Sequence, residues 1–394
     1  MKKSSTLKAK EIVAERKAKK LAVYNFGLGE NPLPVPKILL KNFEKNLNTK
    51  SYKNINNYPI IKNKLCNYLS NREYKPCNVI LGNGLKELLF VTQMAFDGTI
   101  IYVNPSWVSY KEQGILLNKN FEEFKTKIEN NFKVIPELFD IFLEKIPEDK
   151  MIIFNNPCNP TGTVYNRKEI ENLSKVIKKH NCLIFADEIY SEITFNNDKT
   201  SISEFCPRIT IRGSSLSKSF AAGGWRCGWI SFPKELDTLY QKTSAISSSV
   251  YSCISNPLIF VIESFIDNKE IIDKYLQKNK IYYNKVVNYF YNKLKNETDL
   301  IINQPEAAWY IFLDFSNYTK LLEKHNIFNS DQLSEFLCNR YGFVSVSGSA
   351  FHNDKLSLRL SCVDIKIHFV NLDFNRSIDK MVKGINQLIS FLKD

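Results

Sequence analysis

Between residues 99 and 232 the chain places five short apolar runs, Thr99–Val103, Met151–Phe154, Cys182–Ala186, Ile209–Ile211 and Cys227–Phe232, alternating with helix-like segments. The runs are mostly apolar on both faces, as strands of a parallel sheet are when helices cover both sides. Polar residues come directly after three of them: Asn104-Pro105, the stretch 155–162, and Asp187. Open α/β sheets bind ligands at the carboxyl ends of their strands. The pattern therefore aims the chemistry of this chain at one edge of one sheet.

At 394 residues the chain exceeds one small core. Residues 7–20 read as a surface helix and Val23–Gly29 as extended. Residues 233–300 are helix-dominated, with a long amphipathic stretch over Glu270–Asn296. Trp309–Phe315, Val344–Val346 and Leu356–Ser361 are strand-like, with a helix near Ser330–Arg340 between them. We expect an α/β protein with a large domain over 50–265. A small α+β domain is expected from 1–49 together with 266–394. No apolar run reaches the roughly 18 residues of a membrane span, and the charged N-terminus does not read as a secretory signal.

The formal net charge is +13. The lysines are dispersed beside asparagines, as in Lys53-Asn54 and Lys62-Asn63-Lys64, and no recognition motif accompanies them. That describes a solvated face, not a nucleic-acid surface. Nine cysteines are present, none in a CxxC, and several sit in apolar runs. Buried, reduced thiols in a cytoplasmic protein follow, without a disulfide framework. With four histidines, no metal centre is expected.

The most specific segment is Ser214–Phe220 followed by Gly223–Trp229, with Lys218 among small hydroxyl residues and Arg226 eight residues on. An amine that forms imines needs an uncrowded approach and a lowered pKa. A phosphate ester needs hydroxyl donors and a cation, which Ser215 with Arg226 can supply. Asp187 and Tyr190 form a D-x-x-Y that could equally be a helix cap and a core aromatic. Gly82-Asn83-Gly84-Leu85-Lys86 opens a helix-like stretch, where free N–H groups make an anion site.

The run SLSKSFAAGGWRCGW resembles the cofactor-lysine signature of the class I/II aminotransferases, pyridoxal-phosphate enzymes of fold type I. Asn155–Gly162 resembles the N-P-x-N-P-T-G of that family, and Pro105–Tyr110 its tryptophan motif. The likeness runs in order from about Gly27 to Ser361. It implies pyridoxal 5′-phosphate held as a Schiff base on Lys218, which also moves the substrate proton. Asp187 would then face the pyridine nitrogen, Tyr190 and Asn159 the ring oxygen, and Trp107 the ring plane. Gly84, Leu85, Lys86, Ser215, Ser217 and Arg226 would hold the phosphate. Arg359 would take the substrate carboxylate, with Gly29, Trp107 and Asn159 lining the substrate side. Tyr58 would reach the phosphate of a second subunit in a homodimer, although the glycine usual after it is missing. Ser347 stands where many members carry Pro.

The implied reaction moves the amino group of an L-amino acid, aspartate or aromatic by the Trp107 segment, to a 2-oxo acid such as 2-oxoglutarate. Two alternatives stay open on the residues. One is another fold-type-I enzyme, a C–S lyase or synthase. The other is a non-enzymatic relative that keeps the fold for binding or regulation.

Overall fold

The computed structural model describes residues 5–196 and 199–394. In chain order its strands are β1 (Tyr24–Asn25), β2 (Asn78–Gly82), β3 (Thr99–Asn104), β4 (Phe121–Lys125), β5 (Lys150–Asn155), β6 (Leu183–Asp187), β7 (Thr210–Ser215), β8 (Gly228–Phe232), β9 (Ile301–Ile302), β10 (Tyr310–Asp314), β11 (Phe343–Val344), β12 (Val346–Ser347) and β13 (Ser357–Ser361). Seven of them form one sheet in the order β2-β8-β7-β6-β5-β3-β4.

The apolar runs fold as their two-faced character requires. On β5, Met151 and Ile153 enter the core under the helices Leu85–Ala95 and Asp237–Val250, while Ile152 and Phe154 enter the core with Arg167–Lys179. β3 and β6 divide their side chains the same way. Strands β4, β3, β5, β6 and β7 are mutually parallel. The run Cys227–Phe232 departs from the parallel reading, since β8 lies antiparallel to both β7 and β2. A strand buried on both faces has the same composition whichever way it runs, so composition carries no direction. β4 escaped the apolar criterion because it is an edge strand whose Glu122 and Lys125 are exposed.

β12, β13, β10 and β9 form an antiparallel sheet, packed by the helices Lys269–Glu297, Ser330–Tyr341 and Phe374–Lys393. The expected strand Val344–Val346 is divided between two sheets. Val344 ends β11, which pairs in parallel with β1, and Val346 begins β12 on β13. The N-terminal passage is thus stitched to the C-terminal part of the chain. This brings Gly27–Asn31 to the edge of the large sheet. No helix of the described residues is long and apolar enough to cross a membrane.

Candidate active site

The carboxyl ends of β3, β5, β6 and β7 open on a cavity of about 680 Å³. Gly29, Leu85, Lys86, Trp107, Asn159, Asp187, Tyr190, Ser217, Lys218, Arg226 and Arg359 all reach its wall. Residues from opposite ends of the chain are therefore brought together as the motifs require.

Lys218 stands on the loop after β7. That loop is held by Leu216 N–H on Cys227 O (3.0 Å) and by Ser217 N–H on Ser215 Oγ (3.1 Å). Ser215 is buried and props this loop from behind, outside the cavity wall. Asn31 Nδ2 donates to Lys218 O at 2.8 Å, and Lys218 Nζ donates to Gly29 O.

Asp187 ends β6 and pairs in register with Asn155 of β5. Asn155 Nδ2 bonds Asp187 O (3.0 Å), and Asn155 Oδ1 accepts the Asn159 amide (2.8 Å), so one side chain ties the two strand ends. The Asp187 carboxylate accepts Ile189 N–H (3.2 Å) and Tyr110 Oη–H (2.6 Å). Burial pushes its carboxyl up to about 6, against the Tyr110 bond, which pulls it down. A buried carboxylate with only neutral partners is a strong acceptor for a cationic N–H.

The helix Leu85–Ala95 begins after Gly84, whose φ of +89° suits glycine alone. A Cβ there would lie 2.9 Å from Arg226 Cζ, so glycine lets the guanidinium lie against the loop. Arg226 is held by Asn83 O and Gly223 O, both at 2.8 Å, and remains exposed on the cavity side. Gly228 of β8 packs against the same loop, where a Cβ would sit 2.7 Å from Leu85 N. A helix start joined by a fixed cation is an anion site. Lys86 Nζ, expected at that anion, lies instead 4.9 Å over the Trp107 ring and forms no ion pair among the described residues.

Arg359 is buried, with Nη1 on Asn159 Oδ1 (3.1 Å) and Nη2 on Gly27 O (3.0 Å). Its Nε has no partner, and no carboxylate of the described residues pairs with it. A buried guanidinium in that position lacks an anion. Tyr190 is buried and bonds the hydroxyl of Tyr310 at 2.7 Å. Burial raises its phenol well above the ordinary range. Tyr58 lies off this wall, edge-to-face on Phe260 and 3.5 Å from Asn256 Nδ2.

Tyr110, Asn155, Asn31 and Tyr310 escaped sequence reasoning. Tyr110 and Asn155 flank recognised motifs and could have been flagged by that position. Asn31 and Tyr310 act through tertiary placement and carried no local signal. The donor set suits pyridoxal phosphate: an amine, a buried carboxylate for a pyridine N–H, an aromatic plane, and a glycine-opened anion cradle. One other group, Asp140, Glu144 and His180, has metal-ligand proximity. Lys179 already bonds both of its carboxylates, so that cluster carries its own cation.

The family model described as aminotransferase class I and II matches residues 19–366. A probable aspartate/prephenate aminotransferase of Aquifex aeolicus is 27% identical, over 99% of this chain and 95% of its own length. An aspartate aminotransferase of Sulfolobus acidocaldarius is 26% identical, over 95% of this chain and 92% of its own length. Among solved structures, a double mutant of Thermus thermophilus aspartate aminotransferase superposes with a TM-score of 0.84 at 21% identity, covering 100% of this chain and 97% of that one. Thermotoga maritima aspartate aminotransferase gives 0.82 at 24%, covering 100% and 98%.

Proposed function

The chain belongs to the class I and II aminotransferases and is a pyridoxal-phosphate-dependent enzyme; from that premise we propose that Lys218 carries the cofactor and that the amino donor is a dicarboxylic L-amino acid, aspartate foremost. An amino acid and a 2-oxo acid are its substrates. One observation carries the residue assignment. The Lys218 amine, the buried Asp187 and the unpaired buried Arg359 converge on the wall of one cavity.

Bound pyridoxal phosphate supplies an electron sink that makes the α-proton of an amino acid removable. The protein residues do the rest. Lys218 Nζ would move the proton between the substrate Cα and C4′ of the cofactor, as base and then as acid. Asp187, aimed by Tyr110, accepts the pyridine N–H. Tyr190 and Asn159 bond the ring oxygen, and Trp107 covers the ring. Arg226 and the amides that follow Gly84 hold the phosphate, with Ser217 at the loop. Arg359 grips the α-carboxylate on both teeth of its fork. Among the described residues, Lys86 is then a cavity cation that rests on the Trp107 ring with no ion pair of its own. A second carboxylate on the substrate would satisfy it, which favours aspartate over an aromatic donor.

We place the cofactor-binding domain at 50–265 and the smaller domain at 1–49 with 266–394. We also read the enzyme as a cytoplasmic homodimer to which Tyr58 contributes in trans. All nine cysteines are free thiols, in keeping with a reducing compartment.

Borohydride reduction followed by peptide mapping tests the assignment. The phosphopyridoxyl label is expected on Lys218, and Lys218→Ala should lose transamination while retaining some cofactor. Label on a different lysine would refute it. A panel of donors against 2-oxoglutarate should rank aspartate first. Release of ammonia and pyruvate in place of a new amino acid would mean a lyase.

A further inference from the structure

We propose that Tyr310 is a positioning residue with two separable duties: its ring fixes the plane of the Arg359 guanidinium, and its hydroxyl holds the Tyr190 phenol on the cofactor side of the cavity. This rests on the reading above, in which Arg359 takes the substrate carboxylate and Tyr190 the ring oxygen of the cofactor.

Strand register builds the first duty. In the β10–β13 ladder Tyr310 stands opposite Ser361 and Phe312 opposite Arg359, so Tyr310 and Arg359 are diagonal neighbours on one face. The Arg359 guanidinium carbon lies 4.5 Å from the Tyr310 ring centre and 5.0 Å from that of Phe351. Its hydrogen bonds go to Asn159 and Gly27, both neutral. A buried cation without a counter-charge draws compensation from aromatic faces. Those same faces stop the planar fork from turning. A carboxylate can engage both teeth only when that plane is set.

The hydroxyl serves the second duty. Tyr310 Oη and Tyr190 Oη are 2.7 Å apart, and their rings meet edge to face at 5.6 Å. Tyr190 follows β6 of the large sheet and Tyr310 opens β10 of the other, so this bond joins the two sheets across the cavity. A phenol that accepts a hydrogen bond becomes a better donor in turn. Gly29 keeps the necessary room, since a Cβ there would lie 2.8 Å from Tyr310 Oη. The glycine that the family motif pointed to thus acquires a physical reason.

The test compares Tyr310→Phe and Tyr310→Leu in the full-length, cofactor-loaded protein. It reads KM for the amino donor, the pH midpoint of the visible band of the bound cofactor, and Tm. Tyr310→Phe keeps the ring, so KM should move less than about twofold. Its midpoint should rise by about half to one pH unit, because a weaker Tyr190 donor stabilises the deprotonated chromophore less. Tyr310→Leu should show the same rise and also lift KM roughly tenfold. Should the Leu variant not fold, the near-isosteric Phe variant still decides the hydroxyl duty by its midpoint. The proposal is overturned if Phe raises KM as far as Leu does, or if both variants lower Tm and move neither KM nor midpoint. A parent protein with no cofactor band at any pH overturns the aminotransferase reading first, and this proposal with it.

Discussion

Asp187 shows how far one residue can be read. The D-x-x-Y spacing marks it, but Tyr110, which aims it, is 77 positions away in sequence, and nothing in either motif pairs the two. Its carboxyl is pushed up to about 6 from an ordinary 3.8 by burial. In cofactor-stripped protein the folded state then holds a proton that the unfolded state has released, across the window from pH 4 to 6. Stability falls as pH rises through that window, by roughly 1–3 kcal/mol in total. Asp187→Asn cannot ionise. Its stripped form should lack that slope and melt a few degrees above the parent at about pH 7.5, while it binds the cofactor more weakly. Thermal melts of both proteins at about pH 4.5 and 7.5 check this; parallel pH dependence in the two would refute it.

At the scale of the element, the start of the helix Leu85–Ala95 couples a glycine to an arginine far along the chain. Gly84→Ala meets two obstacles, a φ of +89° and the Arg226 guanidinium. Displacing that cation should remove a charge-assisted bond to the cofactor phosphate, worth roughly 1.5–3 kcal/mol. Cofactor Kd should then rise about tenfold to a hundredfold. Arg226→Ala should weaken binding by a similar factor. The double variant should be little worse than either, because both changes delete one interaction. Fluorescence titration of the stripped protein with pyridoxal phosphate measures all three. Additive losses would mean that Gly84 acts without Arg226. The G-x-G pattern is common and weak as text; its meaning here comes from the cation folded onto it.

For the whole molecule, Tyr52 is 93% exposed, Ile60 69% and Val250 52%. Tyr52 and Ile60 lie beside Tyr58 in the chain, and Ser51 O and the Tyr58 hydroxyl both meet Asn256 Nδ2. Apolar side chains so exposed around a residue that faces away from its own cavity suit a two-fold interface. Sedimentation at micromolar concentration should give a dimer. Tyr52→Asp combined with Ile60→Asp should shift it towards monomer and weaken cofactor retention together. A fully active monomeric parent would dismiss the interface.

Local chemistry alone determined much of this protein. Apolarity on both faces of Met151–Phe154 and Cys182–Ala186 demanded a helix-covered sheet, because each side chain needs a buried partner. The lysine, N-P-x-N-P-T-G and D-x-x-Y motifs are short and contiguous, so their residues were legible in order. What the tertiary structure alone decided depends on pairing, which periodicity does not encode. It reversed β8, split Val344 from Val346 between two sheets, and turned Ser215 inward to support the loop of Lys218. It also set Lys86 over Trp107 and laid Arg359 against Tyr310 and Phe351. Apart from Ser215, which bonds Ser217 two residues on, these features join separate segments through a strand register or a side-chain plane, and such geometry exists only once the sheets have closed on one another.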